Sequence, residues 1–242
     1  MIAYSYFSLL ACTAHFPELH QPSGSAPYLL FITHGSGDSI EDWPLALAAS
    51  IEEYIAEPEM WDIWVYDWHR DAANKLTASG SGTKHGEYIS EHLKHTSYTH
   101  YHFVAHSVGA FVIHTLEQKL NTQATIQSTY LDPFCGSGIF DWEYGHRRFG
   151  EYAHFSEAYV NMDDGVPSTD SPLQQSFVFD VTSRAPEEED RSRRHWSPIS
   201  LYEQSILQEE EEWGFNNTVE AGNPPHQHQP SEYPKGGILI VD

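Results

Sequence analysis

The chain's 242 residues include 40% hydrophobic and 14% aromatic side chains, enough to bury one core at the upper end of single-domain size. Lys and Arg total 12 against 35 Asp and Glu, a formal charge of -23, so the field of the whole molecule repels polyphosphates and excludes nucleic acid as a natural partner. Two cysteines, Cys12 and Cys135, supply no disulfide framework, and no stretch approaches the ~20 apolar residues of a membrane-spanning helix.

Residues 1–24 read as a leader or extension. This segment is apolar as far as Ala14, and its Leu9-Leu10-Ala11-Cys12 resembles a bacterial lipoprotein cleavage box, but the basic residues that precede a secretory apolar region are absent. The expectation tips toward a cytoplasmic protein and leaves export, as a lipoprotein or a secreted protein, open. Residues 25–208 read as a single domain. A continuous apolar run at 27–33 predicts a strand buried on both faces, stopped by His34-Gly35-Ser36-Gly37-Asp38. Leu45, Leu47, Ile51 and Ile55 stand at helical spacing and predict a helix over 43–55. A strand over 61–68 leads through a Gly/Ser-rich turn at 79–82 to a helical stretch at 86–93. The strand at 101–105 ends at Ser107 and is followed by an apolar-faced helix at 110–120; the strand at 126–131 ends at Asp132-Pro133. Two further apolar runs, 158–162 and 176–181, flank the turn-rich 165–172. An exposed loop over 186–194, which flips from acidic to basic, delivers His195 to the sheet edge, and a last helix spans 196–207. Residues 209–242 are acidic and then rich in Pro, His and Gln, the composition of a poorly ordered tail; the apolar 238–241 within it is not counted as a strand.

Strands alternating with helices predict an α/β fold, a mostly parallel central sheet with helices on both faces. Such sheets bind ligands outside the carboxyl ends of their strands. Ser36, Ser107, Asp132 and His195 all fall just beyond expected strand ends.

Ala105-His106-Ser107-Val108-Gly109 is a variant of the G-x-S-x-G nucleophile elbow, a tight strand-to-helix turn that lifts a serine hydroxyl above the sheet. Small residues are needed two before and two after, where strand and helix pass closely. The following helix aims its free amide hydrogens at the reacting oxygen. A serine at such a place could equally be an ordinary helix cap; the strand before it and the helix after it favour a nucleophile. A serine nucleophile needs a base. Among 16 histidines, His195 stands after the last strand and before the last helix, where the chain order Ser, Asp, His puts the base. His106 is expected to point into the fold, His34 to brace the turn after the first strand, and His226 and His228 to lie in the tail, with no metal site expected from them. Asp132, Asp163 and Asp164 compete for the acid that orients the imidazole, since each follows a strand.

Five matches in order, Phe31-Ile32-Thr33-His34-Gly35 with Trp43, Tyr66-Asp67-Trp68, His106-Ser107-Val108-Gly109-Ala110, Leu131-Asp132-Pro133, and His195 with Tyr202, make residues 29–202 resemble the pancreatic-lipase-like branch of the α/β-hydrolases, its catalytic domain only. The resemblance implies an acid in the Leu-Asp-Pro element, which selects Asp132. It also implies an oxyanion hole of the backbone amides of Val108 and Ser36. Ser36 stands where that branch has a large apolar residue, and the branch's disulfides and lipid-associating second domain have no counterpart here. The expected activity is therefore a serine esterase acting on a small-molecule ester through the triad Ser107, His195 and Asp132, with no cofactor and no metal. The rival expectations are an inactive binding protein on the same fold and a thioesterase or amidase using the same triad. Oligomeric state and substrate are not legible.

Overall fold

The computed structural model describes residues 14–19, 25–120, 122–138, 140–186, 190–207, 213–215, 218 and 235–241. The expectations for the start of the chain and its Cys12, for the acidic 209–212 and for His226 and His228 lie outside the described residues.

Seven strands, β1 (Tyr28–Thr33), β2 (Trp61–Tyr66), β3 (His100–His106), β4 (Thr125–Leu131), β5 (Phe155–Val160), β6 (Phe177–Asp180) and β7 (Ile238–Ile240), form one sheet in the order β2-β1-β3-β4-β5-β6-β7. Every pairing is parallel. A parallel sheet needs a crossover between paired neighbours and must be covered on both sides, and the sequence supplies both. The helices are α1 (Pro44–Tyr54), α2 (His69–Ala72), α3 (Ala78–Leu93), α4 (Ala110–Lys119), α5 (Tyr144–Arg148), α6 (Arg191–Arg194) and α7 (Ser197–Ser205). Alternation along β1 splits the core in two: Leu29 and Phe31 pack with Ile89 of α3 and Phe111, Ile113 and Leu116 of α4, whereas Leu30 and Ile32 pack with Leu47 and Ile51 of α1 and Tyr202 of α7.

The chain has the α/β-hydrolase fold. Its strands end in register: Thr33 lies beside Tyr66 and Ala105, His106 beside Leu131, Leu131 beside Tyr159, and Val160 beside Asp180. The loops after β1, β3, β4, β5 and β6 therefore open at one edge.

Besides the short helix α6 at 191–194, where a loop was expected, two features differ from the sequence reading. Residues 79–82 belong to α3 and are not a turn. Glycine is poor in a helix on its own, but here it serves contact: a Cβ on Gly82 would sit 3.0 Å from Phe111 Cβ, and one on Gly86 would sit 2.5 Å from the Val112 carbonyl oxygen and 2.6 Å from Thr115 Cβ. The glycines let α3 and α4 approach backbone to backbone. Secondly, Ile238–Ile240 extends the sheet as β7, and Val241, Trp213 and Phe215 are buried.

The substitution G86A should lower stability by about 1–3 kcal/mol through overpacking, read as a fall in the urea midpoint. G80A, on the same helix where a Cβ meets nothing within 4 Å, should be neutral or mildly stabilising.

Candidate active site

Ser107 sits where β3 turns into α4 through a single 3-10 turn, Ser107–Gly109. Its φ of +52° is strained for a residue with a side chain, and the surroundings enforce it. A Cβ on Gly109 would fall 2.6 Å from the His34 carbonyl oxygen, and one on Gly35 would fall 2.7 Å from Ser107 Cβ. Only glycines let the loop after β1 and the elbow close on each other. Ser36 follows Gly35 in that loop and Val108 follows Ser107, so the two expected amide donors flank the contact. The Ser36 hydroxyl is buried and hydrogen-bonds to none of the described residues.

His195 emerges directly after α6 and is buried. Its Nδ1 lies 2.8 Å from Asp132 Oδ2 and 2.8 Å from Asp164 Oδ2. Because Nδ1 faces carboxyl oxygens, the network assigns it the proton, which leaves the Nε2 lone pair available as a base. Asp132 follows β4 with a positive φ of +44°; its amide donates to the Tyr159 carbonyl at 2.8 Å and its Oδ1 accepts the Asn161 N–H at 3.0 Å. Asp164 lies beyond the end of β5, where its Oδ1 accepts the Val166 N–H at 3.1 Å and the Thr169 hydroxyl at 2.8 Å. Asp163 is elsewhere occupied, in an ion pair with Arg194. Of the three competing acids, two reach the imidazole.

The two carboxyls differ in charge preference. Burial, reinforced by the neighbouring Asp164, pushes Asp132 well above the usual carboxylate range. Burial also pushes Asp164 upward, but hydrogen bonds from His195, Asp132 and Thr169 outweigh it and hold Asp164 below its ordinary value.

The donor atoms of Asp132, Asp164 and His195 all lie within 4.8 Å of one another. Nδ1 nevertheless contacts each carboxyl at 2.8 Å, a hydrogen-bond length. Two ligands of a tetrahedral zinc ion stand about 3.3 Å apart, given bonds of about 2.0 Å. The donors satisfy one another.

His106, expected only to point inward, holds the His195 loop. Its Nε2 donates to the His195 carbonyl at 3.0 Å, its Nδ1 lies 3.1 Å from Asp38 Oδ2, and its ring centroid is 4.6 Å from that of His195. Asp38 also accepts the Trp196 indole N–H at 3.0 Å. Burial raises Asp38, but the hydrogen bond and charge of His106 prevail and lower it. No spacing in the sequence pairs residues 38 and 106, which is why this brace went unread. His34, as expected, braces the turn after β1: its Nε2 is 3.0 Å from Asp67, and its carbonyl accepts the Trp68 indole N–H at 2.9 Å.

No protein-family model matches the sequence, and no curated protein matches it. Among solved structures the chain is similar to a lipase-esterase related protein from Clostridium acetobutylicum, at 13% identity and a TM-score of 0.45 over 78% of this chain and 97% of that one. It is also similar to a predicted CIB-like hydrolase from Thermoplasma acidophilum, at 14% identity and a TM-score of 0.47 over 76% of this chain and 86% of that one. The strand order and the Ser107 turn, rather than these likenesses, identify the fold.

Because Asp38 is held below its ordinary range, its stabilisation is fully present above the unfolded value of about 3.9 and is lost as pH falls through the lower folded value. D38N should melt below the wild type at neutral pH, and the gap should close below about pH 4 in melts followed by circular dichroism.

Proposed function

We propose that the protein is a serine hydrolase of the esterase type, with Ser107 as nucleophile, His195 as base and a buried aspartate, Asp132, orienting the imidazole. The observation that carries this reading is the His195 ring, fixed through Nδ1 by buried carboxyls and packed on His106, the residue next to a strained serine at a strand-to-helix turn. A structural N-cap would not require the positive φ, and a buried histidine with no task would not require two acids on one nitrogen.

In the reaction, Nε2 of His195 takes the Ser107 proton as Oγ attacks the ester carbonyl, and the imidazolium is stabilised from the Nδ1 side. The tetrahedral oxyanion rests on the backbone amides of Val108 and Ser36. Nε2 then returns its proton to the departing alkoxide, which leaves an acyl-Ser107. A water molecule activated by Nε2 releases the acid and restores the serine. An acid placed just after the strand next to that of the nucleophile, as Asp132 is after β4, supports the pancreatic-lipase-like branch. The overall charge of -23 disfavours anionic substrates and suits an uncharged ester better.

A fluorophosphonate probe should label Ser107 and no other residue, identified by peptide mass spectrometry. S107A should lower kcat/KM for a short-chain p-nitrophenyl ester by roughly 10⁴-fold or more while keeping the wild-type melting profile, and H195A should lower it as far while also lowering the melting temperature, because two buried carboxyls lose their donor. Absence of labelling in folded protein would leave the fold as a binding scaffold and refute the hydrolase.

A further inference from the structure

Resting on the triad reading above, we propose that the acid of this site is a carboxyl pair, Asp132 and Asp164, holding one proton between them and presenting a single negative charge to His195; Asp164 is thus a second positioning residue.

Counting donors and acceptors makes the case. Asp132 Oδ2 and Asp164 Oδ2 both stand 2.8 Å from the same Nδ1, which offers one N–H. The other oxygen of each carboxyl is already served, by Asn161 N–H for Asp132 and by Val166 N–H and Thr169 O–H for Asp164. Both side chains are buried, and an oxygen of each carboxyl lies within 4.8 Å of the other and of the imidazole nitrogen. Two ionised carboxylates this close and away from water repel strongly, whereas one proton turns the repulsion into a hydrogen bond. That proton supplies the donor that the single N–H cannot.

The proton resides mainly on Asp132, the more deeply enclosed partner. Asp164 has the better means of carrying charge, with a backbone amide, a hydroxyl and the imidazole donating to it. The titratable groups facing the pair are His195, from the loop after α6, and His106, from the end of β3, itself tied to Asp38. Neutral donors among the described residues also serve the pair: the Asn161 and Val166 amides and the Thr169 hydroxyl, with Asn161 in turn donating to the Ser197 hydroxyl at 2.8 Å. The arrangement delivers one unit of charge to the imidazolium without burying a dianion. It also leaves a second carboxyl able to ionise if the first is lost.

The test combines kinetics with infrared spectroscopy on the full chain. D132N replaces a protonated carboxyl by its neutral isostere, so it should lower kcat/KM for the p-nitrophenyl ester by a smaller factor than the double variant does. D164N leaves a lone Asp132 that must ionise in a dry site, so its acidic limb should move to higher pH. The double variant should lose roughly 10³- to 10⁴-fold, the scale for losing a triad acid. The wild-type minus D132N infrared difference spectrum at neutral pH should show a protonated-carboxyl C=O band; E117Q serves as control, because burial pushes Glu117 up to about 7. If D132N fails to fold, D132E must shift the band rather than remove it. A single variant as damaging as the double, with the other silent and its acidic limb unmoved, would overturn the pair, as would the absence of the band. The infrared arm needs no turnover: a band without fluorophosphonate labelling defeats the hydrolase and spares the pair, and labelling without a band does the reverse.

Discussion

One imidazole N–H, that of His195, is shared by two carboxyls that have left water. This contact constrains everything around it, because a buried carboxyl is tolerated only when its oxygens are served. Asn161, Val166 and Thr169 serve them, and each must stand at the right height above the sheet. The ends of β4 and β5, paired up to Leu131 and Tyr159, set that height. The turn at Asp132, with its positive φ, then throws its side chain across to the neighbouring strand.

The same edge is organised throughout by histidine and aspartate. Asp67 after β2 contacts His34, Asp38 in the loop after β1 contacts His106, and Asp132 and Asp164 contact His195. Below the edge, Asp71 contacts His85, which in turn meets the Tyr66 hydroxyl. With 35 acidic residues against 12 Lys and Arg, buried carboxylates here find partners in imidazoles.

Close approach is the other condition. Gly35 and Gly109 let the loop after β1 touch the serine turn, and Gly82 and Gly86 let α3 lie on α4 behind it. Side chains at Gly35 or Gly109 would separate the serine from the loop that carries Ser36, and side chains at Gly82 or Gly86 would push α3 off α4. The strain at Ser107 is thus held by packing on both sides of the turn.

Periodicity and punctuation were enough to read the parallel α/β sheet, because runs such as Leu29–Ile32 are apolar on both faces and stop at glycine or aspartate. They also pointed to Ser107 as a candidate and left three acids in competition. They failed at residues 79–82, where glycines that resemble a turn are helical because a neighbouring helix presses on them. They also left β7 uncounted, since a three-residue run gains its strand character only by pairing with β6. Which aspartate meets His195 was beyond any local pattern: Asp132 and Asp164 are 63 and 31 residues from it in the chain. The sequence by itself determined which side chains stand at strand ends, through the alternation that decides where each strand stops. Only the tertiary structure decided which of them touch, because contact depends on register between strands, and register is a property of the assembled sheet.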